Sequence, residues 1–289
     1  MSSVTVIYNP ESGSATGVEE LREAFGEHDD GHTVRWSPTT EDDPGPGQAR
    51  EAIELGCDTV IACGGDGTVR AIAETLAGTT ATLGVVPLGT GNLLAGNLDI
   101  PVGLDAVPIA LSADVTTLDL GVVNGEKFAV MAGVGFDAAM IRDASSKVKS
   151  RFGSVAYMAS GARNLPAQIL TGTVTVDGEQ VWSGRTAMVL VGNCGSVTGG
   201  LEVFPDASPT DGVLDVAVLT AENVRDWAAL LWRLVRGKPQ PAELVKRFSG
   251  TEIEVGLDRP APYELDGEDR DETQHLSFTI EPGALAVRC

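Results

Sequence analysis

The residues best suited to chemistry lie between Val60 and Asn92. A short apolar run, Val60-Ile61-Ala62-Cys63, stops at Gly64-Gly65-Asp66-Gly67-Thr68, and an alanine-rich segment follows to Leu76. A second apolar run, Leu83-Gly84-Val85-Val86-Pro87-Leu88, stops at Gly89-Thr90-Gly91-Asn92. Twice, a strand-like run meets a glycine loop that opens a helix. That layout suits a phosphate group: glycine lets the backbone approach an anion, and N–H groups at a helix start point at it. Gly-Lys-Ser/Thr is absent, so this is no P-loop, and the Rossmann spacing does not fit. The plainer alternative for either loop alone is a tight turn between strand and helix. Two of them 25 residues apart, one with Asp66 and one with Asn92, favour a shared site.

A carboxylate that accepts a proton would complete a group-transfer site. Two Asp-Gly-Glu triplets offer one, Asp177-Gly178-Glu179 and Asp266-Gly267-Glu268. Both also read as ordinary Asp-Gly hairpin turns. The three histidines, His28, His32 and His275, stand in no motif. The residues by themselves leave Glu179 and Glu268 as equals.

Taken in order, Asn9-Pro10-Glu11-Ser12-Gly13, the loop Gly64 to Thr68, Pro87-Leu88-Gly89-Thr90-Gly91-Asn92 and Asp266-Gly267-Glu268 resemble the diacylglycerol kinase catalytic domain family. That family includes the bacterial lipid kinases and the sphingosine kinases. The resemblance covers nearly the whole chain. It departs at Arg70-Ala71, where the family often has Asn-Glu.

The resemblance implies an ATP-dependent lipid kinase that needs Mg2+ and phosphorylates a lipid hydroxyl, most plainly a diradylglycerol. It implies a nucleotide site made by Asn9, Pro10, Glu11, Ser12, Gly13, Thr40, Gly64, Gly65, Asp66, Gly67, Thr68, Gly89, Thr90 and Asn92. It favours Glu268 over Glu179 as the catalytic base, with Asp66 as the second catalytic residue. Beside phosphates the Asp66 charge makes sense through Mg2+, a shared water or a backbone N–H. The plain alternative is an aspartate that caps its own turn. The stretch Pro205 to Asp215 resembles a Mg2+-binding segment of the family. Matching by position puts the ligands at Ser208, Asp211 and the carbonyl of Val213; many relatives have a second acid where Thr210 stands. A hairpin turn at Asp211-Gly212 is the alternative there. The glycine-rich stretch Asn193 to Gly200 is placed by the resemblance beside an interdomain cleft. Two rivals share parts of the pattern: an NAD kinase-like enzyme, which also has Gly-Gly-Asp-Gly, and a non-catalytic nucleotide-binding regulator. The Asn-Pro start, the Gly-Thr-Gly-Asn loop and the late Asp-Gly-Glu argue against the NAD kinase.

The elements that must position these residues follow from periodicity. Strands are expected at Ser3 to Tyr8, at Thr33 to Trp36 and from Val60, with helices at Val18 to Phe25 and Gln48 to Leu55. Pro38 to Gly47 reads as a mobile acidic loop. This alternation, through Leu94, predicts an α/β N-terminal domain with a parallel sheet. After Leu118-Asp119-Leu120-Gly121 come short alternating runs at Phe128 to Ala132, Gly172 to Val176, Ala187 to Val191, Leu214 to Leu219, Thr251 to Val255 and Leu276 to Ile280. They predict a β-rich, sandwich-like C-terminal domain, interrupted by helices at Ser154 to Asn164 and Val224 to Val235. The expected division is 1–121 and 122–283, and the family resemblance implies that 284–289 return to the first domain.

Bulk properties bound the partners. The 289 residues are 43% hydrophobic, enough for real cores. No apolar run reaches the ~18 residues of a membrane span, and the first residues do not resemble a signal peptide, so a cytoplasmic location is expected. Acids number 41 against 20 bases, a net charge of −21. Such a surface repels nucleic acid and fits a high-salt solvent. The four cysteines lack paired spacing and read as small core residues. The expected partner is a lipid substrate at a membrane surface, with peripheral contact at the inner face. Homo-oligomerisation is left open.

Overall fold

The computed structural model describes residues 3–10, 17–28, 31–135, 169–197, 201–236, 238 and 240–289. Within them the chain forms two units, Met1–Leu120 with Pro282–Cys289, and Gly121–Glu281.

The first unit begins with β1 (Ser3–Tyr8), α1 (Val18–Glu27), β2 (Thr33–Pro38), α2 (Pro46–Glu54), β3 (Thr59–Gly64) and α3 (Asp66–Leu76). β4 (Thr82–Pro87), α4 (Leu93–Asn97), a 3-10 turn (Gly103–Ala106) and α5 (Val107–Ser112) follow. The strands pair in the order β2-β1-β3-β4, all parallel. All six residues of β3 and five of six in β4 are buried. Parallel strands covered on both faces read as continuous apolar runs for this reason. α2 packs on α3, and α1 on α5. α5 had no counterpart in the sequence reading. Pro108 sits in its first turn, where a missing N–H costs no helical bond.

Pro38 to Gly47 is a tied turn rather than a mobile loop. Thr40 and Asp43 exchange bonds, and Asp43 Oδ1 accepts the N–H groups of Gly45 and Gly47 where α2 starts. Pro46 in the first turn starts the helix two residues before the expected Gln48.

The second unit takes over within β5 (Val115–Val123) and continues through β6 (Glu126–Phe128), β7 (Met131–Gly135), β8 (Leu170–Val176), β9 (Glu179–Thr186) and β10 (Met188–Gly192). β11 (Ser196–Val197), β12 (Leu201–Glu202), β13 (Leu214–Leu219), α6 (Val224–Val235), β14 (Val245–Gly250), β15 (Glu252–Leu265) and β16 (Glu268–Arg288) complete it. The antiparallel order is β14-β13-β10-β7-β15-β16. β15 also pairs with β8 through Ile253 to Leu257, whereas it pairs with β7 through Tyr263 to Leu265. Its register with β16 shifts between Gly256 and Tyr263. One strand thus serves two parts of the sheet and turns the corner at an irregularity, as sandwich corners do. The inner faces close on a core that includes Val174, Val191, Val216, Ile253, Leu265 and Phe278. Phe128 meets Phe278 edge to face at 6.3 Å.

The expected strand Phe128 to Ala132 is broken. β6 ends at Phe128 and β7 starts at Met131, because the intervening N–H groups bond a carboxylate instead of a ladder. The expected helix Ser154 to Asn164 lies outside the described residues. β16 ends in the first unit, where Val287 pairs in parallel with Leu83 of β4.

Candidate active site

Because β1 to β4 run parallel, their C-terminal ends share one edge: Tyr8 lies opposite Pro38 and Cys63, and Gly64 opposite Pro87. Asn9, Thr39, Thr40 and both glycine loops follow at that edge, where ligands of open α/β sheets bind. Asn9 N–H donates to the Cys63 carbonyl at 3.1 Å, and Thr39 N–H to that of Tyr8 at 2.9 Å.

The two loops touch backbone to backbone. Leu88 N–H donates to the Gly64 carbonyl at 2.9 Å. A Cβ on Gly89 would stand 2.5 Å from Gly65 Cα, so this approach requires glycine at 89. Asp66 fixes the second loop from the first. Its carboxylate accepts Asn92 N–H at 2.8 Å and Leu93 N–H at 2.5 Å, capping α4 across 26 and 27 residues. The charge sits at a helix N-terminus, where it is favoured. Of the readings open to Asp66, the backbone N–H is the one observed, and the loop it caps is not its own. Asn92, left-handed at φ 51°, closes its loop by accepting Gly89 N–H at 3.0 Å and donating to the Gly89 carbonyl at 2.9 Å. α3 opens right after Gly65, and the first N–H groups of any helix lack partners within it. Cys63, beneath the loop, is fully buried, and burial pushes its thiol far above the ordinary range.

In the second unit Asp266-Gly267 forms the β15–β16 turn, both residues at positive φ (46° and 85°). Asp266 is 4% exposed. Its carboxylate accepts N–H groups of Ala129 at 2.8 Å, Val130 at 2.9 Å and Met131 at 3.0 Å. Beside it Cys194 is buried, its thiol pushed up to about 12 by burial and then by the Asp266 charge. Glu268 is next along, its side chain 37% exposed, and accepts Arg270 Nη2 at 3.3 Å. Arg270 Nε donates to Glu126 at 2.8 Å, and the Tyr263 hydroxyl reaches the same carboxylate at 3.4 Å. The twin triplet differs at this point. Asp177 likewise takes the N–H groups of Thr251 and Glu252, but on the surface, and Glu179 is exposed.

Comparison with known proteins places the chain in a family. Residues 3–123 match the diacylglycerol kinase catalytic domain, and residues 129–289 match the YegS C-terminal NAD kinase beta sandwich-like domain. A Pectobacterium atrosepticum protein named "Probable lipid kinase YegS-like" is 32% identical over 96% of this chain and 93% of its own. This chain belongs to the YegS-like lipid kinases of the diacylglycerol kinase catalytic domain family. The kinase shares its fold with a diacylglycerol kinase from Bacillus anthracis, with a TM-score of 0.74 at 19% identity, covering 99% of this chain and 96% of the other. It also shares it with an NAD kinase from Archaeoglobus fulgidus solved with ATP, with a TM-score of 0.56 at 13% identity, covering 99% and 93%.

Other expected residues of the kinase stand as follows. Glu11, Ser12 and Gly13 lie outside the described residues, and Pro10 is exposed beside Asn9. Thr68 is buried, its side chain against Gly64. Arg70, in place of the family's asparagine, pairs with Glu74 one turn on, at 3.2 Å. In the proposed metal segment Asp211 Oδ1 accepts Val213 N–H at 3.0 Å, and the Ser208 hydroxyl meets that of Thr210 at 3.1 Å. No group of three or more His, Cys, Asp or Glu suited to a metal occurs among the described residues. No helix among them is long and apolar enough to cross a membrane. The sequence reading missed Glu126, Tyr263 and Arg270. Only the last had a signal: it stands two residues from Glu268, hence on the same face of β16.

Proposed function

We propose that this lipid kinase moves the γ-phosphoryl of ATP to the free hydroxyl of a diradylglycerol, with Mg2+. The observation that carries the reading is the contact of two glycine loops at the strand ends, locked by Asp66 on the Asn92 and Leu93 N–H groups. Such an arrangement offers backbone donors and no side-chain bulk, which a polyphosphate requires. The Archaeoglobus NAD kinase, of the same fold, was solved with ATP, which supports the choice of donor.

In this reading Gly64 to Thr68 and Gly89 to Asn92 hold the phosphates, with Asn9 to Gly13 and Thr40 around the rest of the nucleotide. Asp66 positions the second loop. Glu268 takes the proton of the lipid hydroxyl as its oxygen bonds to the γ-phosphorus and the bond to the β-phosphate oxygen breaks, releasing ADP. Mg2+, when bound, neutralises phosphate charge. The Ser208 hydroxyl, the Asp211 carboxylate and the Val213 carbonyl would offer it oxygen donors, the ligand type Mg2+ takes.

The test offers γ-labelled ATP and Mg2+ with a diradylglycerol, a sphingoid base, an isoprenoid alcohol and NAD in parallel, at low and high salt. Label in the phosphorylated diradylglycerol is the expected result. Label in another acceptor, or in none, overturns the proposal.

A further inference from the structure

One helix breaks the charge pattern of the chain. Against 41 acids and 20 bases overall, α6 and the turn after it hold Arg225, Arg233, Arg236 and Lys238 with a single acid, Asp226. That acid is engaged at the helix start. Asn223 Nδ2 donates to it at 2.7 Å, while Asn223 Oδ1 accepts the N–H groups of Arg225 and Asp226. Trp227 and Leu230, each 5% exposed, mark the inward side. At ~100° per residue, Arg225, Ala229, Trp232 and Arg236 fall within about 60° of each other on the opposite side. All four are exposed, as are the flanking Arg233 and Lys238. Trp232 is 59% exposed, and the Arg236 guanidinium lies 3.8 Å from the centre of its ring.

This face is both cationic and aromatic. Indole favours the headgroup region of a bilayer, arginine pairs with lipid phosphates, and stacking holds the two together. A second copy is a poor occupant, because a two-fold contact would set these cations against themselves. We propose that this face of α6 docks the kinase on the headgroup layer of an anionic bilayer. With a net charge of −21 overall, acidic surface among the other described residues repels such a bilayer, which favours contact through this patch. The choice of a bilayer rests on the lipid-kinase reading; the binding itself needs no turnover.

The test is sedimentation of the full chain, without nucleotide, with vesicles of phosphatidylcholine alone and of phosphatidylcholine mixed with phosphatidylglycerol. Binding to the mixed vesicles alone is expected. At about fivefold per cation, R225E/R236E should weaken it by roughly 25-fold or more. A control of equal charge change in the other unit, R35E/R50E, should bind as the parent does. W232A should lose binding most clearly at high salt, where the arginines are screened. All variants should keep turnover on a detergent-dispersed short-chain diradylglycerol, so loss of activity and loss of docking remain separable. No binding by the parent chain, or equal loss in the control, overturns the proposal. So does light scattering that shows W232A splitting a dimer with no vesicle bound.

Discussion

Asp66 and Glu268 are both carboxylates in glycine-flanked motifs, yet the structure employs them differently. Both oxygens of Asp66 hold backbone N–H groups of the second loop. Asp66→Ala should leave a folded protein whose turnover falls at least ~10²-fold, since small misplacements in a transfer site cost that much. Asp66→Asn keeps one acceptor and should fall in between; steady-state kinetics with near-normal turnover for the alanine variant would sink this role. Glu268 pairs with Arg270, and its side chain is 37% exposed. As a general base it contributes ~10²–10⁴ in rate, so Glu268→Gln should lower kcat with nucleotide binding unchanged, and Glu179→Gln should be silent. The reverse ranking would show that the wrong triplet was chosen. Their neighbours Asp266 and Asp177 divide along burial. Asp266→Ala strands three buried N–H groups and should destabilise by roughly 3 kcal/mol or more at ~1–3 kcal/mol each. The N–H groups of Glu252 and Thr251, with the Thr251 hydroxyl, hold exposed Asp177 below the usual carboxylate range. Its contribution is present above the unfolded pKa and is lost as pH falls through the folded one, so Asp177→Asn should flatten acid unfolding below about pH 4.

At the scale of elements, the parallel half was legible because its buried strands are continuous apolar runs and its turns carry glycine. What the sequence could not convey is how those turns are joined. Asp66 bonds main-chain groups 26 and 27 residues away, and no side-chain pattern encodes a main-chain partner. The β-rich half was read only in part. β9 buries only Thr186 of its eight residues and lacks an apolar signature, and β16 runs on through a charged stretch, Glu268 to Gln274, that conceals its length. The loop contact makes its own prediction. Gly89→Ala drives a methyl to 2.5 Å from Gly65 Cα, whereas a Cβ on Gly65 would sit 3.5 Å from Gly89 Cα, an ordinary contact. Overpacking of this kind costs about 1–3 kcal/mol. Thermal unfolding should show Gly89→Ala destabilised and Gly65→Ala close to the parent; equal stabilities would mean that the loops part freely.

At the scale of the whole molecule, the first unit is built from both ends of the sequence. Its sheet contains residues from Ser3 onward, and it also takes in Pro282–Cys289. The returning strand is bonded on more than one side: Gly78 N–H donates to the Ala284 carbonyl, Gly283 N–H to Asp119, Arg288 to the Ala113 carbonyl, and Cys289 N–H to that of Asp114. Leu285 and Val287 are 1% and 0% exposed. Burying two such side chains contributes about 1.5–3 kcal/mol each, before the strand's hydrogen bonds are counted. Native domains have only ~5–15 kcal/mol in reserve. A chain ending at Glu281 should therefore lose the fold of its first unit while the antiparallel sheet of the second persists. Limited proteolysis should then cut first within residues 1–120 and leave a resistant fragment from the second unit. A truncated chain that resists cleavage throughout and melts with the parent would show that the returning strand only decorates the sheet edge.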